Sequence, residues 1–315
     1  MTNEIKPPGF FFTWDIHYQC NYYCTYCFLH FEPETSCIKA KYLELQEWVD
    51  IWESMYKQYG FCQISITGGE PFTYPNFIDL ISVLQKWHTF EFSTNLSWDT
   101  DEFMKKVKPE RVRINSSFHP EFVSVQDFIN KVLFLRNNKY QISITVVAYP
   151  PFLKDIAEYK NAFEKEGLGL IIFPYRGPCD DKKYPEAYTD SEKDFLKKLG
   201  VSIGVEANKE LYETWVERKV VREQDTICRM GQRYAKITPN GNAHRCCAAV
   251  HKDWGNLGNV TDNTFSFTKE PLLCLQRSKN CVCHKAMILG EEDKWLKRWD
   301  SIDKQPVTEK REKAV

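Results

Sequence analysis

A chain of 315 residues with 42 Lys and Arg against 43 Asp and Glu has a formal charge of −1, so it offers no broad field for nucleic acid or an anionic membrane. With 43% hydrophobic and 15% aromatic residues it has the material for a sizeable core and does not belong with disordered chains. No stretch reaches the ~18 uninterrupted apolar residues of a membrane helix, and the opening MTNEIKPPGFFFTWD lacks the basic and apolar regions of a secretory signal, so a cytoplasmic protein is expected.

The first β-rich run, FFTWDI (11–16), leads into CNYYCTYC, which sets Cys20, Cys24 and Cys27 at gaps of three and two residues. Twelve clustered cysteines in a reducing compartment point to metal ligation before disulfides. Three thiolates are one short of a closed tetrahedral site and suit a [4Fe–4S] cube with one iron left open. A helix is predicted over about 39–59, where Leu45, Trp48, Val49, Trp52, Met55, Tyr56 and Tyr59 form one stripe that stops at Gly60. The run CQISI (62–66) then enters TGGEPF (67–72), a Gly-Gly turn that frees backbone groups to approach a ligand. A second helical stripe follows at Phe77, Leu80, Ile81, Leu84 and Trp87.

Further runs are FEFST (90–94) and RVRIN (111–115), each ending in short polar segments, STN (93–95) and INSSFHP (114–120). A helix opens at Ser124 with Asp127 three residues on, a capping-box-like start, and carries Phe128, Val132 and Leu135. QISITVV (141–147), a helix over about 154–166 and LGLIIF (168–173) complete six strands alternating with helices. The expected fold is α/β, an open partial (β/α)6 TIM-like barrel with its chemistry at the C-terminal ends of the strands. After Pro174 the sequence turns polar, a helix is predicted near 190–199, and a cysteine-rich region begins at Cys228. A boundary between 200 and 225 divides the chain into a barrel, 1–215, and an extension, 216–315, with a short terminal helix around Trp295 and Trp299.

The CxxxCxxC spacing after the first strand, with Tyr26 as its aromatic residue, and Gly68-Gly69-Glu70-Pro71 after the second resemble the radical SAM superfamily. The resemblance implies a [4Fe–4S] cluster held by Cys20, Cys24 and Cys27 whose fourth iron is chelated by S-adenosylmethionine. It further implies that Gly68, Gly69, Glu70 and Pro71 contact the methionyl amino group and that Tyr26 lies near the adenine. Asn95 is expected to line the cofactor or substrate pocket and Ser117 to meet the ribose, although a turn or cap role suits both equally. An electron donor such as flavodoxin or ferredoxin is an expected partner.

Downstream, CRMGQRYAKITPNGNAHRC runs from Cys228 to Cys246 with a hairpin-type PNG turn. Together with GNLGNV (255–260) it resembles the opening of the SPASM/Twitch extension of these enzymes. The small number of later cysteines resembles the shorter Twitch form, which implies one auxiliary [4Fe–4S] cluster on Cys228, Cys246, Cys281 and Cys283. Cys274 or Cys247 could replace one of these, His284 is adjacent, and a structural zinc on the same thiolates is an alternative. Cys62 reads as packing, and Cys37 and Cys179 stay unassigned.

The resemblance implies a 5′-deoxyadenosyl radical that removes a hydrogen atom from a substrate carbon. With a second redox centre the expected outcome is net oxidation of a small polar metabolite of sugar or aminocyclitol type. With only nineteen residues before Cys20, a peptide-binding segment ahead of the barrel is not expected, which leaves peptide modification as the runner-up. Arg176 and His119 are weak catalytic candidates, since a capping or surface role suits each as well. A non-catalytic iron–sulfur or zinc protein is the reading from another class, and the intact Gly-Gly-Glu-Pro opposes it.

Overall fold

The computed structural model describes residues 9–201, 227–252 and 254–275. Strand β1 (Phe10–His17) sends Phe12, Trp14 and Ile16 into the core and Thr13 and Asp15 to the opposite face. Five parallel strands continue the sheet in chain order: β2 (Cys62–Gly68), β3 (Thr89–Thr94), β4 (Val112–Ser117), β5 (Gln141–Ala148) and β6 (Leu170–Pro174). All six predicted strands are present. Their aliphatic and aromatic positions face helices, whereas the other face carries Thr13, Ser65, Asn115, Ser143 and Thr145 in adjacent registers.

After a single turn, α1 (Pro33–Ser36), the crossovers run through α2 (Leu45–Tyr59), α3 (Phe77–Leu84), α4 (Thr100–Lys106), α5 (Val125–Asn137) and α6 (Ile156–Lys165). Helix α2 begins six residues later than expected because Glu44 and Glu47 form the capping box, and the Lys41 N–H is drawn away to the Pro239 carbonyl at 2.8 Å. Helix α4 went unpredicted, since TDEFMKK buries only Phe103 and is too short to show a period; Asp99 caps it. Ser124 does cap α5, accepting from the Asp127 N–H. Trp48 and Trp52 of α2 flank Trp14 at ring distances of 4.6 and 5.3 Å, so the heaviest core residues join the first strand to the first long helix.

Beyond β6 a small hairpin, β7 (Gly177–Cys179) and β8 (Lys182–Tyr184), leads to α7 (Asp190–Lys198), whose Thr189 and Glu192 form a second capping box. The extension opens with β9 (Ile227–Cys228) and then lays β10 (Tyr234–Ile237) parallel against β1. The PNG turn joins β10 to antiparallel β11 (Asn242–His244), and β12 (Asn256–Asn259) completes a nine-stranded sheet in the order β12-β11-β10-β1-β2-β3-β4-β5-β6. Strand β13 (Leu272–Leu273) pairs with β9. The extension thus prolongs the barrel sheet through β1. The expected boundary at 215/216 and the helix around Trp295 and Trp299 lie outside the described residues. Among the described residues no helix is long and apolar enough to cross a membrane.

Candidate active site

The cysteine loop leaves the C-terminal end of β1. Cys24 is buried, Cys20 and Cys27 are half-buried, and none of the three is in a disulfide. Burial pushes the Cys24 thiol up to about 12, with the charges of Glu121, Cys20 and Cys27 adding to the effect. Burial and neighbouring negative charge both oppose the thiolate, and a cation among the thiols would offset them. That donor set fits a cationic iron–sulfur core held at separate corners. No three His, Cys, Asp or Glu side chains among the described residues close on a single metal ion, which a cube does not require.

The Gly-Gly-Glu-Pro turn lies beside this loop. Gly68 has φ +128°, and a Cβ there would fall 2.1 Å from the His17 carbonyl oxygen; at Gly69 it would fall 1.9 Å from that of Gln19. Glycine is required because the turn packs directly on the chain leaving β1. Gly69 and Glu70 donate their N–H groups to the His17 and Gln19 carbonyls at 2.8 and 2.9 Å. The His17 ring returns a bond, Nε2 to the Glu70 carbonyl at 2.8 Å, and burial lowers its pKa. The Glu70 side chain is 1% exposed and turns to the end of β3. It accepts from the Asn95 N–H at 2.7 Å, the Thr94 hydroxyl at 2.8 Å and the Phe72 N–H at 3.2 Å. Burial nonetheless raises its pKa to about 7.

Asn95 is buried where these segments meet, its amide donating to Asn21 Oδ1 at 3.0 Å and lying 3.9 Å from Cys20 Sγ. Ser117 is at the end of β4, with its hydroxyl 3.2 Å from that of Thr145. Tyr26 is buried, its hydroxyl 2.9 Å from His119 Nδ1, which is also 3.3 Å from Cys24 Sγ. Burial lowers the His119 pKa to about 4. Two residues on, Glu121 accepts from the N–H and hydroxyl of Thr25. Arg176, the other catalytic candidate, is exposed just past β6.

A cavity of about 220 Å³ opens beside Gly68. Asp15, Tyr18 and Thr67 line it from the barrel, Phe28, Glu32 and Thr35 from the segment after the cysteines, and Lys236, Cys247, Val250 and His251 from the extension. At its base Lys236 pairs with Asp15, whose carboxylate also accepts from Tyr18 at 2.7 Å and Thr67 at 3.3 Å. Sequence reasoning missed this group. The alternation along β1 could have marked Asp15 as facing away from the core, but nothing local points to Lys236, its partner 221 residues on.

Of the second cysteine group, Cys228 and Cys246 are buried in one small cluster with Met230, Tyr234 and Ala249, and Cys274 packs against it. Cys247 turns the other way, into the cavity, 3.5 Å from the Tyr234 hydroxyl. Cys281, Cys283 and His284 lie outside the described residues. Cys62 is fully buried, as expected of packing, Cys179 is buried near the Tyr149 hydroxyl and Cys37 is exposed.

Two curated proteins named S-adenosylmethionine-dependent nucleotide dehydratase are similar to the chain. That of Thermoplasmatales archaeon (strain ISO4-H5) is 34% identical over 95 residues, 30% of this chain and 32% of its own length. That of Flammeovirga pacifica is 26% identical over 201 residues, 57% and 67% of the two lengths. The match thus spans about a third of the archaeal relative. Among solved structures, Streptococcus suis SuiB bound to S-adenosylmethionine aligns with a TM-score of 0.53 at 16% identity, covering 81% of this chain and 64% of that one. Native anSMEcpe with bound AdoMet aligns with a TM-score of 0.56 at 16% identity, over 81% and 78%. At these identities the likeness shows the fold, the partial barrel expected from the strand and helix alternation. Residues 14–144, from β1 into β5, match the Radical SAM superfamily.

Proposed function

We propose that the protein is a radical SAM enzyme that removes a hydrogen atom from a carbon of a small hydroxylated metabolite, with a nucleotide the first class to test. The match to that family implies a [4Fe–4S] cluster and S-adenosylmethionine, which together supply a 5′-deoxyadenosyl radical able to attack an unactivated C–H bond. Cys20, Cys24 and Cys27 would hold the cluster. The Gly68–Pro71 turn would meet the methionyl end through its backbone, because the Glu70 carboxylate is already engaged at the β3 end. Tyr26, Asn95 and Ser117 would line the rest of the cofactor site.

One observation supports the substrate class: the face of the sheet opposite the helices is polar, and at Asp15 and Thr67 it borders the cavity beside Gly68. Hydroxyl and amide side chains from Thr13, Ser65, Asn115, Ser117, Ser143 and Thr145 share its registers with Glu91 and Arg113, and the Lys236–Asp15 pair stands at one end. Such a face suits a sugar or ribose, whose hydroxyls can join its hydrogen bonds, better than an apolar ligand. The names of the curated relatives favour a nucleotide losing water over the net oxidation expected from the sequence. The grouping of Cys228, Cys246 and Cys274 supports an auxiliary [4Fe–4S] cluster completed by Cys281 or Cys283, with structural zinc as the alternative.

The test is anaerobic reconstitution followed by reduction with S-adenosylmethionine and a panel of ribonucleotides. We expect 5′-deoxyadenosine from the wild type, none from Cys24→Ala, and a rise with the correct nucleotide, whose deuterium should appear in the 5′-deoxyadenosine. Iron-loaded wild type that yields no 5′-deoxyadenosine sinks the enzyme reading. Stimulation by hydroxyl-poor peptides and by no nucleotide or sugar would replace the substrate class with peptide modification.

A further inference from the structure

Three of the four residues His119–Phe122, which follow β4, grip the cysteine loop at separate points. His119 lies against Cys24 and Tyr26. Glu121 takes the Thr25 N–H at 3.1 Å on one oxygen and the Thr25 hydroxyl at 2.6 Å on the other. Phe122 stacks on Tyr22 with ring centres 4.4 Å apart and planes 10° from parallel. Thr25 stands between Cys24 and Cys27, where the loop's own backbone contributes a single bond, Cys27 N–H to the Cys24 carbonyl at 3.1 Å. A two-pronged carboxylate at that point fixes the spacing of two thiols more firmly than the loop fixes itself.

We infer that Glu121 is a positioning residue for the cluster, holding Thr25 so that Cys24 and Cys27 stay ready to ligate, while its negative charge opposes addition of an electron and keeps the reduction potential low. The inference rests on the reading of Cys20, Cys24 and Cys27 as cluster ligands. The carboxylate is bonded to the residue that follows Cys24, so its charge stands beside the ligand loop. Net charge and hydrogen bonding around the sulfurs are the terms through which a protein sets an iron–sulfur potential.

The experiment uses the full chain, anaerobically reconstituted, as wild type, Glu121→Gln and Glu121→Ala. Glu121→Gln keeps an oxygen for the Thr25 N–H and removes the charge: full iron content is expected, with a midpoint potential, read by redox titration followed by electron paramagnetic resonance, more positive than wild type. Glu121→Ala removes both prongs: iron should pass to a chelator roughly ten times faster, the lower end of what loss of an outer-sphere partner does to metal retention, while thermal unfolding of the metal-free chain stays near wild type. A Gln variant with the wild-type potential, or an Ala variant that releases iron at the wild-type rate, overturns the inference. A wild-type chain that takes up no iron overturns the ligand assignment itself, and this inference with it.

Discussion

Glu70 stands in the most recognisable motif of the chain, yet its carboxylate acts as a structural tie. Three donors from two segments converge on it in a site closed to water, so its removal leaves two backbone N–H groups unpaired and takes the acceptor from the Thr94 hydroxyl proton. Glu70→Ala should destabilise the metal-free protein by about 3 kcal/mol or more, whereas Glu70→Gln, which keeps one acceptor, should cost less, about 1 to 2 kcal/mol; chemical denaturation measures both. Equal losses would mean that the three bonds contribute little. The motif pointed to the glycines and the acid as a unit. It gave no direction for the side chain, because direction depends on β3, which no residue of the motif encodes. His119 carries the same lesson: its place near the tip of β4 was legible, and its contact with Cys24 and Tyr26 was not, since those residues lie 95 and 93 positions away.

At the scale of elements, a buried histidine joins a helix to two strands. His88, between α3 and β3, accepts from the Cys62 N–H at 3.2 Å through Nδ1 and donates through Nε2 to the Trp52 carbonyl of α2 at 3.1 Å. The bond from Cys62 needs Nδ1 unprotonated and hence the neutral ring, and burial lowers the pKa from 6.5 to about 4. The folded pKa is the depressed one, so its contribution is complete above pH 6.5 and is lost as pH falls through 4. At ~1.4 kcal/mol per unit the contribution is about 3 kcal/mol. The stability gap between wild type and His88→Asn should therefore narrow by about that amount between pH 6.5 and pH 4, as read from denaturation curves across the range. A constant gap would place the ring in water. The helix itself was evident from its Trp and Met stripe, but its start was not. The residues before Glu44 had helical character, and the Glu44–Glu47 capping box together with the bond from Lys41 to Pro239, on a distant hairpin, shows why they do not join it.

At the scale of the molecule, the Asp15–Lys236 pair fastens the extension to the barrel where β10 lies along β1. Both side chains are almost wholly shielded, 7% and 11% exposed. Lys236→Met strands a buried carboxylate and should cost about 3 to 5 kcal/mol, and adding Asp15→Asn should recover most of that loss. Additive losses in the double variant would show that the two charges do not interact. The same pair, with Cys247 and His251 beside it, makes the extension a wall of the cavity. Both parts of the chain therefore line that cavity.

The sequence by itself determined the six strands, most of their helices and the cysteine and Gly-Gly-Glu-Pro motifs, because periodicity and short-range spacing are local properties that survive without neighbours. Tertiary structure alone decided that Cys246 turns inward beside Cys228 while Cys247 turns to the cavity, that Glu70 ties β2 to β3, and that Lys236 meets Asp15. Each of these depends on the registers in which distant strands pair, β10 on β1 above all, and register arises from the packing of whole faces, which no short segment contains.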